Sequence, residues 1–117
     1  MTQINLQVAE IINSSLGISA EDGQKVFDRI SQYISEGETV TLSFEHVTML
    51  ISLFLNVAIG QLYGSFSEEK IQKNLKVEGL SPDDLELLKS VIENAKKYYA
   101  NKKSYDKAWQ EEYSDEK

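Results

Sequence analysis

The 117-residue chain has no cysteine, one proline, one histidine and one tryptophan. Without cysteine there are no disulfides, no cysteine nucleophile and no thiolate metal site. With His46 as the one histidine, a metal centre built from several imidazoles is excluded, and so is a Cys–His pair. A triad through Ser43 or Ser52 lacks the nucleophile-elbow spacing that would support it. The stretch Gly60-Gln61-Leu62-Tyr63-Gly64 lacks the Lys-Ser/Thr ending of a phosphate-binding loop, so no nucleotide and no other cofactor is expected. Positive charge is scarce as well: 12 Lys and Arg stand against 19 Asp and Glu, a formal net charge of −7. That balance disfavours nucleic acid and anionic lipid as partners. No basic segment followed by an apolar one opens the chain, so the expected compartment is the cytoplasm.

What is present centres on residues 39–63, TVTLSFEHVTMLISLFLNVAIGQLY. Thr39 to Phe44 alternates, with Val40, Leu42 and Phe44 on one face and Thr39, Thr41 and Ser43 on the other, which predicts a strand. A loop is expected over residues 45–49. The apolar run after it is interrupted by Ser52, Asn56 and Gln61 and has no flanking cluster of Lys or Arg. It therefore falls short of the roughly 20 apolar residues of a membrane span. On a helix, Ser52, Asn56 and Gly60 form one narrow stripe, and the otherwise apolar surface predicts burial inside the fold.

Before this stretch, Ile4, Leu6 and Val8 alternate and predict a first strand. Ile11 and Ile12 fit either its end or a helical turn. Residues 13–17 read as a loop; Asn13-Ser14-Ser15 fits a glycosylation sequon, which has no role without secretion. Ser19 followed by Asp22 is a capping signal for a helix carrying Val26, Phe27, Ile30, Tyr33 and Ile34, closed near Gly37. After it, Ser67-Glu68-Glu69-Lys70 starts a short helix, and Leu75 to Glu78 alternates as a third strand. Ser81-Pro82-Asp83-Asp84 opens a helix with an apolar stripe of Leu85, Leu88, Val91, Ile92, Ala95 and Tyr99. The order predicts an α/β domain over residues 1–100, a small mixed or partly parallel sheet of three to four strands packed with helices. Residues 101–117 are a polar, helical extension or tail in which Tyr105, Trp109 and Tyr113 fall four apart.

Ser43-Phe44-Glu45-His46-Val47, Ile51-Ser52-Leu53-Phe54 and Gly60-Gln61-Leu62-Tyr63 resemble successive motifs of the STAS-like domain of unknown function. This prokaryotic family is related in fold to anti-sigma-factor antagonists. Residues 66–99 resemble its closing helix, strand and helix. Ser43 stands where the family has Asp, His46 where it has Gly, and Ser52 alone remains of a run of serines. The resemblance implies a non-enzymatic signalling module that docks a protein, a histidine-kinase-type ATPase in the related antagonists. There the Ser at the position of Ser52 is phosphorylated; here Ile51 replaces the Asp before it.

The expected docking surface is the turn over residues 45–52 and the start of the central helix, with Glu45, His46, Thr48, Ser52 and Asn56 as candidates. Ser52 either merely caps or packs against the buried helix, as Ser commonly does, or is a phospho-acceptor, where unpaired N–H groups would stabilise a phosphate. The carboxylates at Glu21/Asp22, Glu68/Glu69 and Asp83/Asp84 are accounted for by helix starts. The lysines interleaved with Tyr98, Tyr99 and Tyr105 suit a solvated face, so no nucleic acid is expected. The alternative to the adaptor is a structural or oligomerisation module, a homodimer through Tyr105, Trp109 and Tyr113.

Overall fold

The computed structural model describes the backbone of residues 3–116 and the side chains of residues 3–100. In chain order it runs β1 (Gln3–Gln7), α1 (Val8–Ile12), β2 (Leu16–Gly17), α2 (Ala20–Ser35), β3 (Thr39–Ser43) and β4 (Met49–Leu50). Then come α3 (Ser52–Leu55), a π-helical segment (Asn56–Gly60), α4 (Leu62–Ser65), α5 (Glu68–Asn74), β5 (Leu75–Glu78) and α6 (Pro82–Glu116). This is the α/β domain that the pattern of elements predicts. All strand pairings are parallel: β1-β3-β5 form one sheet and β2-β4 a second, two-stranded one.

The register places Ile4, Leu6, Val40, Leu42, Leu75 and Val77 on one face. Val40 and Leu42 are fully buried there under the helices. The other face carries Gln3, Asn5, Thr41, Lys76 and Glu78. Because β3 is the middle strand, its polar residues Thr41 and Ser43 are buried too. Thr41 Oγ1 accepts from Gln3 Nε2 at 3.1 Å, and Ser43 Oγ accepts from the Glu45 N–H at 3.2 Å. Both hydroxyls are thus satisfied, as burial requires.

The capping signals act as written. Ser19, Ser67 and Ser81 accept from the N–H groups of Asp22, Lys70 and Asp84 at 3.1–3.2 Å. Gly37 ends α2 in the left-handed region, with φ +79. Ile11 and Ile12, which fit either strand or turn, belong to the short helix α1, closed by Asn13 in the left-handed region. Asn74, buried at the end of α5, donates to the carbonyls of Gly37 and Glu38 at 3.3 and 2.9 Å and ties α5 to the turn before β3.

Phe54, Leu55, Ala58, Ile59 and Leu62 fill the core between α2, the sheet and α6. The π turn is marked by the Gln61 N–H bonding to the Asn56 carbonyl at 2.9 Å, five residues back. Gly60 of the expected stripe turns inward against Val91 and Ala95, while Ser52 and Asn56 stay exposed. Two departures from burial matter. Leu53 and Ile51, expected inside, are exposed, and so is Leu85 of the α6 stripe. The side chains of Tyr105, Trp109 and Tyr113 lie outside the described residues. Among the described residues no helix is long and apolar enough to cross a membrane.

Lys96 on α6 reaches Glu68 on α5 at 2.9 Å and lies 6.0 Å from the Tyr63 ring. The hydrogen bond to Glu68 raises the Lys96 pKa, and burial raises that of Tyr63. Both groups hold their protons more tightly folded than unfolded. Their contribution is whole below their ordinary values of 10.5 and 10.0 and is lost as pH climbs through the raised ones. Melting temperature is therefore expected to fall above about pH 10, and less steeply in Tyr63→Phe. A Tyr63→Phe profile parallel to that of the wild type up to pH 11.5 would count against it.

Candidate functional site

The register aligns Gln7, Ser43 and Glu78, so all three strands of the larger sheet end level with one another. In parallel α/β sheets this carboxyl end is where ligands and partners gather. The chain leaving β1 and β3 there forms the second sheet. Leu16 pairs with Met49 and Gly17 with Leu50. The Thr48 N–H to Ser15 carbonyl bond (2.8 Å) and the Ile51 N–H to Gly17 carbonyl bond (3.2 Å) extend the pairing at both ends.

Strand alternation then decides what faces water. Gly17 and Leu50 point inward; a Cβ on Gly17 would stand 2.7 Å from Leu50 Cδ2 and 3.2 Å from the Phe54 ring. The flanking positions point outward: Leu16, Ile18, Met49 and Ile51 are 40%, 39%, 53% and 38% exposed. Leu53, on the first turn of α3, adds a fifth apolar side chain at 49%. Among the described residues the two other large exposed hydrophobics are Leu85 and Tyr98. The five thus cluster on and beside the β2-β4 pair, above buried Leu50 and Phe54, and clustered exposed apolar side chains mark interaction sites.

Glu45, His46 and Thr48 rim this patch. The turn is closed by the Val47 N–H bonding to the Phe44 carbonyl at 3.1 Å, with His46 in the left-handed region at φ +70. All three side chains are exposed, and Thr48 Oγ1 donates to the Ser15 carbonyl at 3.3 Å. Gly79 packs against Phe44 and Glu45 at the start of this turn, φ +81, in the left-handed region that glycine occupies without strain.

Ser52 lies between Ile51 and Leu53. The paired segments Leu16-Gly17-Ile18-Ser19 and Met49-Leu50-Ile51-Ser52 share a pattern and run into helices one residue out of step. Ser19 is the N-cap of α2, with its hydroxyl bonded to the Asp22 N–H. Ile51 is the N-cap of α3, which has no side-chain cap bond and no acid in its first turn, and Ser52 is its exposed first residue. Ser52 is thus not a cap. Asn56, one turn on, lines a separate groove of about 400 Å³ against α6 with Gly60, Tyr98 and Tyr99.

Of the five expected residues, Glu45, His46 and Thr48 lie together on the turn at the rim, Ser52 lies between two of the exposed apolar side chains, and Asn56 lies in the separate groove. The apolar patch itself is not foreseen from the sequence, because residues 13–17 and 45–49 look like loops. The available signal was the repeated apolar–x–apolar–Ser before each helix. Among the described residues no three His, Asp or Glu side chains converge as metal ligands.

A family model described as STAS-like domain of unknown function (DUF4325) matches residues 22–85, more than half of the chain. That span runs from the first turn of α2 to the first turn of α6. No curated protein and no solved structure matches the chain.

Proposed function

Because the chain belongs to the STAS-like domain family of unknown function, we propose that it is a non-enzymatic regulatory module that docks a protein partner through the β2-β4 face. One observation carries this reading: Leu16 and Met49 of the two-stranded sheet, Ile18 and Ile51 just after its strands, and Leu53 beyond them are all exposed apolar side chains. Burying such surface is worth roughly 25 cal/mol per Å², and a partner supplies the burial. A histidine-kinase-type ATPase is the partner class that likeness to anti-sigma-factor antagonists suggests. Ser52 is then the switch, since a phosphate would bring about two negative charges among apolar side chains that the partner must desolvate.

The experiment compares capture of partners from the native host by wild type, Ser52→Glu and Met49→Ser/Leu53→Ser, with intact-mass analysis of the purified protein. Both variants alter exposed positions and are expected to melt within a few degrees of wild type. Each should weaken partner binding by about tenfold or more, or ~1.4 kcal/mol. Equal capture by all three proteins would defeat the docking reading. Loss of capture in the Met49/Leu53 variant but not in Ser52→Glu would keep the surface and remove the switch.

A further inference from the structure

Resting on that docking reading, we infer that the partner presents an apolar segment flanked by Lys or Arg, and that this charge pattern selects it. The segments that build the patch, residues 13–22 and 43–56, contain Glu21, Asp22 and Glu45 and neither Lys nor Arg. No Lys or Arg occurs between Arg29 and Lys70. The cation nearest in sequence, Lys25, reaches Asp22 at 3.5 Å. Glu21 is exposed in the first turn of α2, where Gly23 packs against the Phe54 carbonyl. Glu45 is exposed on the opposite rim. Beside it, Glu78 ends β5, where its carbonyl accepts from the Phe44 N–H at 2.9 Å. The patch is therefore apolar in the middle and negative on two sides.

A second copy is a poor occupant. A two-fold interface on this face would juxtapose Glu21 and Glu45 from both molecules, with Lys25, the cation nearest in sequence, already engaged by Asp22, and like charges across an interface select against a partner. A basic amphipathic segment satisfies both parts: its apolar residues cover Leu16, Ile18, Met49, Ile51 and Leu53, and its cations meet Glu21 and Glu45. A carboxylate introduced at Ser52 differs from these, because it falls among the apolar side chains and must be desolvated without a cation beside it.

The test uses the full chain, labelled for amide NMR, and three synthetic 12-residue peptides of alternating Leu with Lys, with Ser or with Glu. The Leu/Lys peptide should move the amides of residues 15–18 and 49–53 and bind at least tenfold tighter than the other two. Glu21→Gln/Glu45→Gln should weaken it by roughly three- to tenfold, as two exposed ion pairs predict. Glu36→Gln/Glu38→Gln, the same charge change at the far end of the sheet, should leave it within about twofold, being screened. Equal binding of all three peptides at the patch would overturn the inference while sparing the docking reading. Equal weakening by the two double variants would overturn it by reducing the effect to net charge. Patch shifts on diluting the protein alone would name a second copy as occupant. No peptide-induced shift at the patch would defeat inference and docking reading together.

Discussion

Phe54→Ala is expected to lower the free energy of unfolding by about 3–5 kcal/mol, the range for deleting a fully buried aromatic side chain. The ring is wholly inaccessible. It supports the β2-β4 sheet from below, where Gly17 leaves room for its edge, while its carbonyl lies against Gly23 of α2. Such backbone approaches leave little slack for neighbours to close a cavity, so the cost should fall at the upper end. For a domain of this size the melting temperature should drop by roughly 10–25 °C. Urea unfolding should show a lower midpoint at an unchanged slope. A loss below about 1 kcal/mol would mean that Phe54 is not the floor of the patch. Leu53→Ala, a neighbouring but half-exposed position, should cost less than about 1 kcal/mol. Fold stability and surface chemistry thus alternate between adjacent residues of one helical turn.

Gly79→Ala is expected to cost about 2–4 kcal/mol, and Gly37→Ala about 1 kcal/mol, although both glycines have nearly the same φ, +81 and +79. Around Gly37 a Cβ meets nothing within 4 Å, so only the left-handed conformation is penalised. At Gly79 the Cβ would stand 2.9 Å from the Glu45 nitrogen and 3.1 Å from the Phe44 nitrogen. These are backbone atoms, and the Phe44 N–H is bonded to the Glu78 carbonyl, so they cannot retreat without opening the end of the sheet. Chemical denaturation of the two variants side by side tests this. Equal costs would show that contact with the 44–45 backbone is unimportant. In Gly79→Ala alone, the amides of residues 44–48 should also shift, because the Glu45–Thr48 rim rests on that contact.

Much of the fold was legible because its signals are local. Ser19, Ser67 and Ser81 each precede a helix and cap it, Gly37 closes one, and β3 and β5 alternate where the structure has strands. The π turn at Asn56–Gly60 left no such mark in the sequence; the segment packs between α2 and α6, a tertiary setting that local signals do not carry. The β2 and β4 strands are two residues each, too short for periodicity to show. Each exists because the other pairs with it, so neither could be found alone. For the same reason Leu53 and Ile51 looked buried in the sequence: an apolar run says that some face is covered, and tertiary packing chooses which. Glu45, His46, Thr48 and Ser52 were singled out through the family resemblance, whereas the apolar patch beside them needed the pairing of Leu16 with Met49.

That pairing has a kinetic side. Among the described residues every strand pairing joins positions more than 30 apart, as Leu16 and Met49 or Gln3 and Thr39 are, and none is a hairpin. Such long-range closures are slow steps, taken against chain entropy before contacts reward them. During synthesis, at about 5–20 residues per second, β3 has no partner strand on its β5 side until some 35 further residues are made. The two-residue β2-β4 ladder, held by so few bonds, gains little until the larger sheet and Phe54 are in place. The exposed apolar β2-β4 face is therefore a late product of folding. On the proposed docking reading, a partner would engage finished molecules and pass over nascent or misfolded ones, and binding would itself report on the integrity of the fold.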